Sequence, residues 1–149
     1  MNINKIIKIA AEAGKIILQS GGETYRVEET MSRICSAYNI KDSDPYVTPT
    51  VIMISATNEN GQTVSLSRRI TSRTIDLDKI DKVNNLSRNI KENNLTLEQV
   101  QEELNIIKKG IPYSNKLGIL FFLLYFIFLY IIVWRKLFRF YYCICNSAA

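Results

Sequence analysis

The sequence contains no histidine among its 149 residues. Histidine is the commonest general base near neutral pH and the commonest metal ligand, so its absence removes the usual centre of many enzyme sites. The sequence also lacks a glycine-rich phosphate loop, a serine nucleophile with an adjacent base, and any metal-ligand spacing. We therefore expect no catalytic residue, no metal and no cofactor, and the chain gives little indication of being an enzyme.

Cysteine is scarce. The three cysteines, Cys35, Cys143 and Cys145, are odd in number and poorly spaced for a zinc site or a disulfide framework. Cys35 lies at helical spacing among apolar residues, which predicts a small buried side chain.

Near the N-terminus, Glu12 interrupts the apolar stretch before a signal-peptide core could form. We expect the N-terminal portion to be cytosolic and reduced.

The charge is not that of a nucleic-acid-binding protein. The chain carries 19 basic and 14 acidic side chains, a formal net charge of +5. Three of the basic residues, Arg135, Lys136 and Arg139, follow the apolar run, and no acidic residue follows them, which leaves 16 basic and 14 acidic side chains in residues 1–134. No basic stripe interleaved with aromatic residues is present, so we expect no nucleic-acid partner.

Hydrophobic periodicity divides residues 1–112 into helices and strands. A first helix is predicted from apolar residues that recur every three or four positions: Ile3, Ile6, Ile7, Ala10, Ala13, Gly14, Ile17 and Leu18. A second helix follows a glycine pair, over residues 23–38. Residues 46–57 and 62–70 read as two antiparallel strands around the turn "NENG". Two more helices follow, the last with Thr96 and Gln99 as a capping box. The prediction is a small α+β cytoplasmic domain with the order α-α-β-β-α-α.

Residues 117–134 contain no charged side chain. Eighteen helical residues span about 27 Å, close to the roughly 30 Å of a bilayer's hydrocarbon core. We predict one transmembrane helix over residues 113–134; the alternative is a buried core helix of a soluble protein. Lysines precede the run and basic residues follow it, so the flanking charges do not fix its orientation.

The stretch "SGGETYRVEETMSRIC", residues 20–35, concentrates charged side chains. Glu23, Glu28 and Glu29 could hold a proton or a cation, and Arg26 could bind a substrate carboxylate through its planar guanidinium. The alternative is an ordinary solvated helix face, with surface pairs Arg26–Glu29 and Glu29–Arg33 at helical spacing.

Two further stretches offer candidates. Thr48 and Pro49, in "VTPT", suit either a ligand loop or a bend that sets the register of a strand. Asp81, Asn84 and Arg88 share one face of a predicted helix, which suits either polar recognition or a solvated surface.

Taken together and in order, several strings resemble the threonine/serine exporter family of bacterial inner-membrane proteins. They are "SGGETYRVEETMSRI", "VTPTVIMIS", "DLDKIDKVNNLSRNI", "LTLEQVQEEL" and "PYSNKLGILF", and the resemblance covers roughly residues 5–121. It implies a cytoplasmic N-terminal α/β domain followed by several membrane helices in the bacterial inner membrane. It also implies export of small amino acids or related small carboxylates, with a second transmembrane portion that is a separate subunit or a further part of the protein.

The positions that match the family pattern are the candidate substrate or coupling residues, together with one glycine: Gly21, Glu23, Arg26, Glu29, Thr48, Pro49, Asn84 and Arg88. Two other hypotheses remain open. The first is a small-ligand-binding or hydrolase-like cytoplasmic module tethered to the membrane. The second is a homo-oligomeric scaffold that clusters the membrane portions.

The resemblance implies several membrane helices, whereas a basic and aromatic tail, residues 135–149, follows the single apolar run. We predict that the chain from about Phe128 onward is translated out of frame. With A/T-leaning codons and Trp134 as TGG, a shift of one nucleotide can read FFTLLFGGSFLDFIIAFAIVQ, which looks like a continuing membrane helix. Such a truncated product should not transport by itself. The alternative is a juxtamembrane tail with its basic side chains at lipid headgroups.

Overall fold

The computed structural model describes the backbone of residues 3–110 and 115–146, and the side chains of residues 3–110 and 118–135. The chain forms two compact units, Met1–Gly110 and Ile111–Ala149. The first contains four helices and three strands: α1 (Ile3–Gln19), α2 (Thr24–Ala37), β1 (Asp42–Val47), β2 (Val51–Thr57), β3 (Thr63–Arg69), α3 (Leu77–Glu92) and α4 (Leu97–Lys109). The second contains α5 (Asn115–Asn146). The predicted mixture of helices and antiparallel strands is confirmed.

The sheet of the described domain has three strands, so the prediction of two is wrong. Its order is β1-β2-β3, and both neighbouring pairs are antiparallel. The predicted first strand is split at residues 48–50. There, the Thr48 N–H donates to the Val51 carbonyl at 2.9 Å, and the Val51 N–H donates to Thr48 Oγ1 at 3.1 Å. The residues on both sides of Pro49 are β-branched and continue the strand pattern, so the pattern predicts one strand although the proline indicates a bend.

One face of the sheet packs against helices and the other faces solvent. Ile52, Ile54 and Ala56 on β2 are buried, and they alternate with partly or fully exposed residues. The register places Ile54 between Pro45 and Leu66 on the same inner face. On the outer face, Tyr46 and Met53 are paired and exposed. Alternation along each strand therefore orients the sheet, as the period of two requires.

Helix α1 is the centre of the first unit. The predicted apolar stripe is buried, and so are three further residues outside it, Ile9, Ala11 and Ile16. The additional burial arises because β2 and β3 pack on this helix as well as α2, α3 and α4. Every buried hydrophobic residue of the described chain lies between Ile3 and Ile107. The first unit therefore contains a complete core of its own, which is what an independently folding domain needs.

Helices α1 and α4 run in the same direction. Lys5 Nζ lies 3.9 Å from a Glu98 carboxylate oxygen near their N-terminal ends, and Lys108 Nζ lies 2.8 Å from Glu12 towards their C-terminal ends. At the start of α4 the predicted capping box is confirmed, because the Thr96 side chain accepts from the Gln99 N–H and the Gln99 side chain accepts from the Thr96 N–H.

Helices α2 and α3 also run in the same direction, because Thr30 lies beside Asn84 and Arg33 lies beside Ser87, two pairs with equal sequence separation. Short loops join α1 to α2 and α3 to α4. The C-terminal ends of α1 and α4 and the N-terminal ends of α2 and α3 therefore lie together. We call this the exit end, because Gly110, the last residue of the unit, lies there.

Helix α5 contains the long apolar segment. Its window Gly118–Arg135 has a mean hydropathy of 2.2, and all of its side chains are exposed, so it is not a buried core helix of the described structure. This is the one candidate membrane span among the described residues. The helix continues to Asn146, so the backbone of most of the predicted tail is helical. The side chains of residues 111–117 and 136–149, including Cys143 and Cys145, lie outside the described residues, as does the backbone at residues 113–114 of the predicted span.

Candidate functional site

The N-terminal end of α2 carries Glu23 and Arg26 on the surface. Glu23 is the N-cap residue, but its side chain makes no capping hydrogen bond. Instead, its carboxylate lies 3.7 Å from Arg26 Nε. Arg26 Nε also donates to the Tyr25 hydroxyl at 3.4 Å, and this bond, with the nearby carboxylates, raises the pKa of Arg26. The predicted Arg26–Glu29 pair is not formed, because the Arg26 side chain is directed towards Glu23.

A polar seam joins α2 to α3. Glu29 forms an ion pair with Arg33, as predicted, and Arg33 also donates to Ser87 Oγ at 3.3 Å. The Ser87 hydroxyl donates to the Asn84 carbonyl at 2.7 Å. The structure thus brings two candidates, Glu29 and Asn84, into one hydrogen-bonded layer. Arg33 and Ser87 complete this layer, and sequence reasoning did not include Ser87, since only the packing of the two helices reveals its role.

Thr30 is the buried centre of this seam. Its hydroxyl lies 2.8 Å from the Arg26 carbonyl and 3.2 Å from Asn84 Oδ1. The Thr30 hydroxyl has only one hydrogen, and it donates this hydrogen to the Arg26 carbonyl. The second contact is favourable when the Asn84 amide is turned so that its NH₂ group donates to Thr30. In that orientation Asn84 links the two helices, and its position is fixed by packing.

Arg88 is exposed one turn beyond Asn84, and within the described part of the chain no ion pair holds it. Asp81, which shares its helix face, accepts from the Asn85 side chain at 3.1 Å. Three of the candidate charged residues, Glu23, Arg26 and Arg88, are all solvent-exposed.

Thr48 and Pro49 form the turn between β1 and β2. The Thr48 hydroxyl is occupied by the turn itself, and Pro49 is exposed. Just before the turn, the Val47 N–H donates to Glu28 at 2.9 Å, which attaches the end of β1 to α2. The bend therefore sets the register of two strands and lies near the N-terminal half of α2.

Gly21 has a backbone role. Its φ of +89° lies in the left-handed region, and a Cβ at this position would lie 3.0 Å from the Thr74 carbonyl oxygen. Glycine therefore lets the chain between β3 and α3 pass close to the C-terminal end of α1.

No candidate residue lines the cavity beside the β1–β2 turn, which has a volume of about 590 Å³. Its lining residues are Thr50, Val51, Arg69, Ile70 and Thr71. Among the described residues there is also no group of three histidine, cysteine, aspartate or glutamate residues that could hold a metal ion. The arrangement therefore provides a set of exposed charged side chains around the polar seam between α2 and α3. The polar groups of the seam are hydrogen-bonded to each other.

Comparison with known proteins identifies a family. No curated protein and no solved structure matches the chain. The family model described as "Putative threonine/serine exporter" matches residues 8–145, which covers most of the N-terminal unit and most of α5. A transporter family agrees with the apolar helix and indicates a membrane transport protein. The chain belongs to the threonine/serine exporter family.

Proposed function

We propose that this chain supplies the cytoplasmic domain and one membrane span of a bacterial inner-membrane exporter of threonine, serine or related small carboxylates. The observation that carries the proposal is the family match, which runs without interruption from the α+β unit into the apolar helix. A match of this extent supports one function for the domain and the span together. A match to the domain alone would also fit a soluble module, and a match to the span alone would also fit an unrelated membrane anchor.

The membrane path needs more than α5. Within Gly118–Arg135 the only charged residue is Arg135, at the last position of the window. A transported zwitterion needs polar groups facing it at the middle of the bilayer, and these come from several packed helices. We propose that further spans, from a second transmembrane subunit or a further portion of the protein, complete the path.

The seven candidates retain distinct proposed roles. Arg88 is exposed and is available to bind a carboxylate. Arg26, Glu23 and Glu29 are also exposed, and they would exchange their present partners for a substrate carboxylate or ammonium group, Arg26 and Glu23 leaving each other and Glu29 leaving Arg33. Asn84 holds α2 and α3 together beneath them. Thr48 and Pro49 fix the adjacent turn. The described geometry gives the alternative of a hydrolase-like module no support, since no nucleophile, base and acid converge.

The transport proposal is tested by efflux. Cells that carry the intact locus with its neighbouring membrane gene are loaded with radiolabelled threonine or serine, and efflux is compared with that of a deletion strain. We expect efflux to fall on deletion and to return on complementation. The double variant R26Q/R88Q should reduce efflux, whereas K8Q/K41Q, with the same loss of charge on other exposed positions, should not. Unchanged efflux after deletion would refute the proposal.

The cytoplasmic placement is tested separately. A cysteine at the exposed position Asn60, in the turn between β2 and β3, should react with a membrane-impermeant maleimide only after the cells are opened. Rapid labelling in intact cells would place the domain outside, and this outcome is independent of whether efflux is observed.

A further inference from the structure

The segment that joins β3 to α3, residues 68–77, combines exposed arginines with exposed apolar side chains. Arg68, Arg69 and Arg73 are exposed, and within the described part of the chain none of them forms an ion pair. Ile75 and Leu77 are 88% and 73% exposed. They are the two most exposed large hydrophobic residues of the described chain. Exposed apolar side chains do not stabilise a protein surface in water. The headgroup region of a bilayer, in contrast, accommodates both arginines and apolar side chains.

This segment is held in place by backbone hydrogen bonds. The Ile70 N–H donates to the Thr50 carbonyl at 2.8 Å, and the Ile70 side chain is buried. Further along, the Thr74 N–H donates to the Gln19 carbonyl at 2.7 Å. Because both ends of the linker are attached to buried elements, the exposure of the apolar residues is a fixed property of the surface.

The left-handed Gly21 makes this attachment possible. It allows the Thr74 carbonyl and Ile75 to lie against the end of α1, within 3.0 Å and 3.6 Å of where a Cβ would be. The Asp76 N–H donates to the Ser20 carbonyl at 3.0 Å, and Asp76 then caps α3. Ser20 and Gly21, which belong to the string "SGGETYRVEETMSRI" of the family resemblance, thereby position the linker between β3 and α3.

The segment lies at the exit end of the domain. Arg73 donates to the Gly22 carbonyl at 3.4 Å, at the start of α2. Gly110 is at the same end, since a Cβ on it would lie 3.1 Å from Lys79 Cε, on the first turn of α3. Only four residues of sequence separate Gly110 from the first residue of α5. The covalent chain therefore tethers this end of the domain, and not the opposite one, to the apolar helix.

We propose that residues 68–77 form a membrane-docking surface that binds anionic phospholipid headgroups through Arg68, Arg69 and Arg73 and places Ile75 and Leu77 in the bilayer interface. A lipid surface suits these side chains better than a protein partner, because unpaired arginines complement anionic headgroups and only four residues of sequence separate this end from the apolar helix. This surface fixes the orientation of the domain relative to the bilayer, whichever small molecule the exporter carries.

The experiment measures vesicle binding by residues 1–110, which contain the complete described core. Vesicles of pure phosphatidylcholine are compared with equal mixtures of phosphatidylcholine and phosphatidylglycerol. We expect binding to the anionic vesicles only, decreasing with salt. The variant R68Q/R69Q/R73Q should weaken binding by about fivefold for each arginine removed, and I75S/L77S should weaken it at unchanged charge.

The matched control is K8Q/K41Q/K91Q, which removes the same charge from exposed positions outside the segment and should bind within about twofold of the parent. All substituted side chains are exposed, so the variants should fold, and circular dichroism checks this. Equal binding by the arginine variant and the control would overturn the proposal. Competition by soluble glycerol phosphate at low concentration would overturn it in favour of a small-anion site.

The full chain gives a second readout. In nanodiscs that contain phosphatidylglycerol, amide hydrogen exchange at residues 71–75 should be slower than in nanodiscs of phosphatidylcholine. Protection that depends only on a second transmembrane subunit would identify a protein-docking surface and would contradict the lipid assignment.

Discussion

Replacing Gly21 with alanine should destabilise the N-terminal domain by about 2–4 kcal/mol, because two separate costs add. The first is conformational: at a φ of +89°, an L-residue costs roughly 1–2 kcal/mol. The second is steric: the new methyl group would lie 3.0 Å from the Thr74 carbonyl oxygen. That oxygen cannot easily move away, since the Thr74 N–H is bonded to the Gln19 carbonyl at 2.7 Å. Overpacking of this kind adds about 1–2 kcal/mol.

Gly61 is the matched control for this substitution. Its φ of +74° is also left-handed, but nothing lies within 4 Å of where a Cβ would be. The variant G61A should therefore carry the conformational cost alone, about 1–2 kcal/mol. The free energy of unfolding of residues 1–110 is measured by urea denaturation and far-ultraviolet circular dichroism. If G21A is no less stable than G61A, the close approach of the linker to Gly21 is not present in solution and the reasoning fails.

Three further predictions concern the core, a helix cap and a thiol. G14A should destabilise the domain by about 1–2 kcal/mol in the same assay despite alanine's better helix propensity, because the added Cβ would lie 2.6 Å from Met31 Sδ and 2.9 Å from Val27 Cγ1; unchanged stability would contradict the packing of α1 on α2. D76A should cost about 1 kcal/mol at neutral pH. The Lys79 N–H lowers the pKa of Asp76 in the folded state, so this contribution is present above the unfolded pKa and is lost as pH falls through the folded one; a cost that persists in strong acid would argue against the cap. Burial raises the pKa of Cys35 to about 11, so in residues 1–110 a disulfide reagent should modify it roughly 100-fold more slowly when folded than in urea, and equal rates would refute its burial.

Local sequence signals predicted individual elements well. The capping box of Thr96 and Gln99 lies within the first turn of α4, so it can be predicted without any tertiary information. The stripe that begins at Ile3 predicted α1 for the same reason. At Thr48 and Pro49 the sequence offered a bend as one alternative, but the β-branched residues on both sides satisfy the pattern of one continuous strand. The hydrogen bonds between Thr48 and Val51 show that the chain turns there and begins a separate strand.

The candidate site shows the same division. Spacing along α2 predicted the Glu29–Arg33 pair, since helix geometry alone places such residues together. It could not predict that Arg26 is directed towards Glu23, because two carboxylates at helical spacing compete for one guanidinium. Nor could it find Ser87, which meets Arg33 only because α2 and α3 lie side by side.

By itself, the sequence determined the family, the helical and strand-forming segments and the existence of one apolar helix, because these depend on order, periodicity and composition along the chain. Tertiary structure alone decided that Arg33 meets Ser87, which glycine permits a close backbone approach, and which residues of the β3–α3 linker remain exposed at the exit end. These outcomes depend on contacts between segments about 50 residues apart, as between Gly22 and Arg73. No local pattern encodes such contacts, because the energy of each one depends on the packing of all the elements around it.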